Sequence, residues 1–196
     1  MSDSLRGHYL IAGKHLRDPN FYRTVVLMVE HGEEGAMGLV INRPSSVKVA
    51  HALAEHFNLP DQEQVVFIGG PVEPSHLFIL HNVSHLHLDD EEEGLTLLPG
   101  VHVTNRADVL EKVMAVIAEG QDAGGGDLRY RILSGCAGWA PGQLESELAR
   151  GDWYVQPANS ELLFLDDPYE VWEATLRRFD QLSQLAPHPP GNPEWN

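Results

Sequence analysis

One cysteine, Cys136, is all that the 196 residues contain, so no internal disulfide can brace the chain and a disulfide scaffold is excluded. A lone thiol also suits a reducing compartment. Basic residues are scarce: 13 Lys plus Arg stand against 29 Asp plus Glu, a net charge of −16. Affinity for nucleic acid rests largely on cations that displace counterions from phosphates, so direct DNA binding is opposed by the overall field. The densest basic pair, Arg177-Arg178, sits among Glu170, Glu173 and Asp180 and makes no patch. Long apolar runs are missing as well. Residues 24–29 and 65–68 fall far short of the ~18 residues that a membrane-spanning helix needs. No basic segment followed by an apolar stretch opens the sequence, so the expectation is a cytoplasmic protein with no membrane partner.

What is present is enough apolar material, 42% of residues, for one core that buries roughly 70% of the unfolded surface without a metal or partner. Residues 1–183 read as one domain. Four prolines and one glycine between Ala186 and Asn196, with almost no apolar side chains, predict a Pro-rich disordered tail over 184–196.

Periodicity gives the coarse layout. Residues 9–12 and 24–30 are apolar almost throughout, the mark of strands buried on both faces. The glycines of His31-Gly32-Glu33-Glu34-Gly35 turn the chain into a returning strand over 36–41, which Asn42-Arg43-Pro44 stops. Apolar residues spaced three and four apart predict an amphipathic helix over 47–58. Strands are expected at 65–68, 77–80, 101–103, 128–133 and 153–155. The acidic run 89–93 reads as a solvated loop.

Further helices are expected after Asn105, with Val109, Leu110, Val113, Val116 and Ile117 on one face, and from Pro141 to Gly151. A last helix starts at Asp167-Pro168-Tyr169-Glu170, with Val171, Trp172, Thr175, Leu176, Phe179 and Leu182 inward.

Several groups could carry chemistry. His81, His85 and His87, with Asp89 and Asp90, offer metal-ligand types but fit no established spacing, so no metal is assigned. Ser134-Gly135-Cys136-Ala137-Gly138 falls between an expected strand and an expected helix, where nucleophiles often sit. It lacks the glycine spacing of a nucleophile elbow and has no identifiable base, and a lone cysteine is commonly a small buried hydrophobe.

Gly69-Gly70-Pro71 lacks the lysine and hydroxyl of a phosphate loop, and a bulge or tight turn suits it better. No dinucleotide fingerprint occurs, and no cofactor is assigned. Trp139, in a loop of small residues, either lines a pocket or anchors the core. Asn42 suits a turn-holding amide, and Arg43 either pairs with an acid or meets an anion.

In order along the chain, the motifs are Asp18-Pro19-Asn20-Phe21, Glu30 through Pro44, Gly69-Gly70-Pro71-Val72, Phe78-Ile79-Leu80-His81, Ser134 through Trp139, Gly142-Gln143-Leu144-Glu145 and Asp152-Trp153. Together they resemble the bacterial AlgH/YqgE family from about Gly7 to about Phe179. Cys136 departs from the pattern, standing where members usually have Tyr, which weakens a catalytic role for the thiol.

The resemblance implies an α+β fold: a single domain with a mixed, strongly curved β-sheet and helices packed around it. It implies no established activity. Some members carry a transcriptional-regulator label, but the acidic balance and the absence of a helix-turn-helix argue against DNA binding here.

The leading expectation is a non-enzymatic regulatory factor that binds an unknown small molecule or protein. Its candidate binding residues are Asn42, Arg43, Gly69, Gly70, His81, Trp139 and Gln143, converging on one hollow. The alternative is an enzyme using Ser134, Cys136 or His81 in that hollow, and a third reading gives the motifs to the fold alone.

Overall fold

A strand whose two faces are both apolar needs cover on both sides, and here that demand builds one large sheet with helices on its flanks. The computed structural model describes residues 4–55, 57, 59, 63–83, 95–118 and 128–185. Its strands are β1 (His8–Ala12), β2 (Val25–Gly32), β3 (Gly35–Val40), β4 (Pro44–Lys48), β5 (Val65–Ile68), β6 (Val72–His81), β7 (Leu95–Leu98), β8 (Val101–Thr104), β9 (Tyr130–Trp139) and β10 (Trp153–Pro157). The helices are α1 (Val49–Ala52), α2 (Ala107–Ala118), α3 (Gln143–Ala149), α4 (Ser160–Leu163) and α5 (Val171–Leu185).

The strands form one ten-stranded sheet with the main order β10-β1-β2-β3-β9-β6-β8-β7, and β5 joins β9 while pairing with β4 on its other side. Among the described residues every pairing is antiparallel except β5 with β9, so the sheet is mixed, as expected. The α+β fold class, a mixed sheet with helices beside it, holds.

The ten-residue β9 is the spine. Its C-terminal part pairs with β3 (Ala36↔Trp139 to Gly38↔Ala137), and its N-terminal part pairs with β5 (Phe67↔Leu133). Along its other edge runs β6, from His81↔Tyr130 to Val72↔Cys136.

Two apolar cores result. One gathers β1–β3 with Trp139, Leu144, Trp153, Val171, Trp172 and Leu176, and the other gathers Val49, Leu53, Val66, Ile79, Val109, Val113, Met114 and Ile132. On α5 the inward face runs as expected from Val171 to Leu176, with Phe179 partly buried, but Leu182 is exposed. The indole of Trp172 fixes α5 to the sheet by donating to the Ala12 carbonyl at 2.9 Å.

Several local expectations are corrected. The helix over 47–58 shrinks to the single turn of α1, because Val47 and Lys48 are taken by β4, whose Lys48 pairs with Val65. Pro44 opens β4 as well as following β3; a proline is tolerated at the first residue of a strand. Residues 134–139 are strand, not turn: their glycines serve close backbone approach inside β9. The strand β7 and the one-turn α4, capped by the Asn159 side chain accepting from the Leu162 N–H, lack a long enough pattern to be read in advance. Of the tail expected over 184–196, Gln184 and Leu185 belong to α5, while residues 186–196, the acidic run 89–93, and His85 and His87 lie outside the described residues.

Candidate functional site

The turn at 18–23 is the first piece. Asp18 folds it locally: its carboxylate accepts from the Asn20 N–H at 2.8 Å, and its carbonyl accepts from Phe21 and Tyr22. Asn42 and Arg43, leaving β3, hold the turn from below. The Asn42 amide is buried, accepts from the Val25 N–H at 2.9 Å and donates to the Arg23 carbonyl at 2.9 Å. Arg43 donates to the carbonyls of Pro19 (2.8 Å) and Tyr22 (3.3 Å). Partial burial lowers its pKa, an effect that the charge of Asp18 opposes.

Above them lies a hollow of about 330 Å³ whose walls include Tyr22, Arg23, Arg43, Ile68, Tyr169 and Trp172. Arg23 sits at a left-handed φ of 53°, a conformation that costs a non-glycine residue of order 1–3 kcal/mol. Its guanidinium lies over the rings of Trp172 (5.1 Å) and Tyr22 (5.5 Å). Among the described residues it has no carboxylate within ion-pair distance. Tyr169 is 75% exposed at the rim.

Trp139 and Gln143 belong to a second cluster. The Glu147 carboxylate accepts from the indole N–H of both Trp139 (2.9 Å) and Trp153 (2.8 Å) through one oxygen and from the Gln143 amide (3.0 Å) through the other. Phe21 packs on this pair, stacked on Trp139 at 6.1 Å and edge-on to Trp153 at 5.4 Å. The turn at 18–23 therefore touches both clusters, but neither Trp139 nor Gln143 lines the hollow.

Gly69 and Gly70 take a third role. The Gly69 N–H donates to the Ser134 carbonyl (2.8 Å), while its own carbonyl accepts from the Val40 N–H (2.7 Å), so the chain threads between β3 and β9. A side chain at either glycine would enter the backbone of β9 at Gly135–Ala137.

His81 is remote from all of this. It is fully buried, its Nδ1 accepts from the Val83 N–H at 3.2 Å, and its ring stacks on His102 at 5.6 Å. It pairs with Tyr130 at the end of β9 opposite Trp139, nine residues away, or roughly 30 Å along an extended strand. Of the seven candidate binding residues, only Asn42 and Arg43 line the hollow, with Gly69 next to its wall residue Ile68.

The three candidate nucleophile and base groups are likewise apart. Ser134 pairs with Leu77, four residues before His81, or roughly 13 Å along β6. Its hydroxyl donates to the Pro74 carbonyl. Burial pushes the Cys136 thiol above its ordinary pKa, with Glu73 and Glu30 adding to the effect, so the reactive thiolate is disfavoured. Among the described residues no three metal-binding side chains gather, and no helix is long and apolar enough to cross a membrane.

The larger cavity, about 730 Å³, lies on the other side of Pro44, a residue that walls both. Phe67, Tyr130, Arg131, Phe164 and Leu165 are among its lining residues. Arg131, in the strand expected over 128–133, is 7% exposed, because the segment around Leu165 covers that face of β9. Arg23, Arg131, Glu147 and Tyr169 were missed by sequence reasoning. Residues 128–133 read as alternating basic and apolar, which gave no sign that one of the two arginines is buried.

Against known proteins, a family model described as AlgH-like matches residues 9–183. A UPF0301 protein of Myxococcus xanthus is 39% identical over 172 residues, covering 86% of this chain and 87% of its own. One from Methylococcus capsulatus is 36% identical over 176 residues, covering 87% and 89%. The solution structure of the AlgH protein from Pseudomonas aeruginosa superposes with a TM-score of 0.69 at 35% identity, over 96% of this chain and 98% of that one. A crystal structure of a Corynebacterium diphtheriae protein gives the same TM-score at 26% identity, over 88% and 85%.

Proposed function

The chain belongs to the AlgH-like family, and from that premise we propose that it is a non-enzymatic regulatory protein of the cytoplasm whose hollow at Asn42–Arg43 binds an anionic ligand or protein segment. The observation that carries this reading is Arg23. A guanidinium held between two aromatic rings, on a strained backbone and without a described carboxylate partner, is set out at the rim of a cavity in a protein of net charge −16. Strain of this kind persists where the surrounding structure fixes it, here through Asn42 gripping the Arg23 carbonyl. Exposed Tyr22 and Tyr169 add the rigid aromatic surface that recognition sites favour. The separation of Ser134 and Cys136 from His81 supports binding over catalysis, because general base chemistry needs hydrogen-bond reach.

The test is a thermal-shift screen against metabolites and nucleotides, joined to affinity capture from host lysate, with the native chain and the double variant R23A/Y169A compared. Both changed side chains are exposed, so the fold should survive. The expected result is a ligand or partner held by the native chain and lost by the variant. Equal retention by both, or silence in both assays, refutes the proposal.

A further inference from the structure

The larger cavity carries an inference that does not rest on the hollow at Arg43. Buried charges are normally paired with an opposite charge. Arg131 departs from that rule: its guanidinium donates to the carbonyls of Ile41 and Leu165 (2.7 Å for the latter) and lies over the Phe67 ring at 4.6 Å. Among the described residues it has no carboxylate within ion-pair distance. Two of the five N–H donors of a guanidinium are thus engaged, and the residue lines the cleft with donors to spare. Burial pushes its pKa down to about 10, with Tyr9 and Asp166 only partly offsetting the effect, so it is a cation at neutral pH held in an unfavourable place. Clamping three chain segments explains the two carbonyl contacts, but neither the lack of a carboxylate in direct contact, Asp166 acting only from a distance, nor a cleft of about 730 Å³, within the range of small-molecule sites, beside it.

We propose that this cleft binds a small organic acid, an apolar ring-sized body bearing one carboxylate, with the carboxylate on the Arg131 guanidinium and the body against Phe67, Phe164 and Leu165. The single charge follows from the lining: Arg131 is its buried cation and Asp166 lies on the same cleft, while the exposed Arg129 and the Glu63 carboxylate, which is paired with Lys48, stay in solvent, so one carboxylate suits the site better than a dianion such as phosphate. Arginine suits a carboxylate because its fork can donate two parallel hydrogen bonds to it. The apolar body follows from the aromatic and aliphatic walls.

The test uses 3-phenylpropionate, its neutral isostere 3-phenylpropionamide, and inorganic phosphate, each titrated into the full chain and followed by nitrogen-edited NMR. Expected are saturable shifts at the Arg131 Nε–H and at the backbone of residues 65–67 and 164–166, with the carboxylate binding at least about tenfold more tightly than the amide and phosphate leaving these signals unmoved. Equal binding of acid and amide overturns the proposal, as does phosphate competing at equal affinity, an absence of shifts, or shifts confined to Arg23 and Arg43. That last outcome would leave the reading of the hollow standing, so the two failures are distinguishable. R131K keeps the charge but loses the fork, and is expected to weaken the acid at least tenfold. Should R131K fold poorly, L128W, at a partly exposed position of the lining, fills the cleft instead and is expected to abolish binding while the chain still unfolds cooperatively; unchanged binding by L128W also overturns the proposal.

Discussion

Replacing Gly135 by alanine tests how the two halves of the sheet are joined. Gly135 sits within β9 at φ 71°, in the left-handed region. A Cβ there would lie 2.7 Å from the Gly70 carbonyl oxygen, 2.8 Å from that of Val72 and 3.2 Å from the Pro74 Cα, all backbone atoms that cannot rotate away. The conformation alone costs an alanine about 1–2 kcal/mol. Pushing two backbone oxygens out of overlap adds roughly 1–3 kcal/mol of packing strain. The sum, about 2–5 kcal/mol, converts at roughly 2–4 °C per kcal/mol for a chain of this size to a melting temperature lower by about 4–20 °C.

Gly138 is the control. It is on the same strand, has no positive φ, and a Cβ there meets only Val72 Cγ2 at an ordinary 3.7 Å, so G138A should fall within about 0.5 kcal/mol of native. Both variants would be compared by calorimetry and urea unfolding. If G135A melts within about 2 °C of G138A, the account of Gly69, Gly70 and Gly135 as a backbone crossing is wrong.

Asn42→Ala removes the acceptor of the Val25 N–H and the donor to the Arg23 carbonyl, and should cost about 1–3 kcal/mol in urea unfolding while speeding hydrogen exchange at Val25. Glu147→Ala strips the acceptor from two indoles at once and should lower stability by about 2–3 kcal/mol, with a red-shifted tryptophan emission as Trp139 and Trp153 find water instead. Cys136 should alkylate with iodoacetamide far more slowly than a free thiol at pH 8. Its neutral form is favoured by folding, so its contribution to stability is complete below the ordinary thiol pKa near 9 and is lost as pH rises through the higher folded value. Equal loss of stability above pH 9 in C136A would show the thiol is not responsible.

How much was legible depends on what a local pattern encodes. The hairpin of β2 and β3, the strands either side of Gly69-Gly70, α2, α3 and the inward face of α5 follow from apolar spacing, which acts over a few positions. The caps were misplaced: α3 follows Gly142 with no side-chain cap, and α5 begins at Val171 and not at Pro168. The helix expected over 47–58 failed because three-residue spacing in a short run also fits a strand followed by a turn, and pairing with β5 decided between them. The glycines of residues 134–139 were misplaced because glycine marks close backbone approach as readily as it marks a turn.

The sequence by itself determined that the chain is acidic, can form no internal disulfide and alternates short strands with helices, since composition and short-range periodicity suffice for that, and the order of its motifs, through the AlgH-like resemblance, implied the α+β fold. Only the tertiary structure decided that Arg131 is buried, that one carboxylate of α3 serves two tryptophans, and that His81 lies at the opposite end of β9 from Trp139. The reason is physical. Alternation tells which side chains share a face of a strand, but what covers that face, and which distant segment threads beside it, is settled by pairing between residues tens of positions apart.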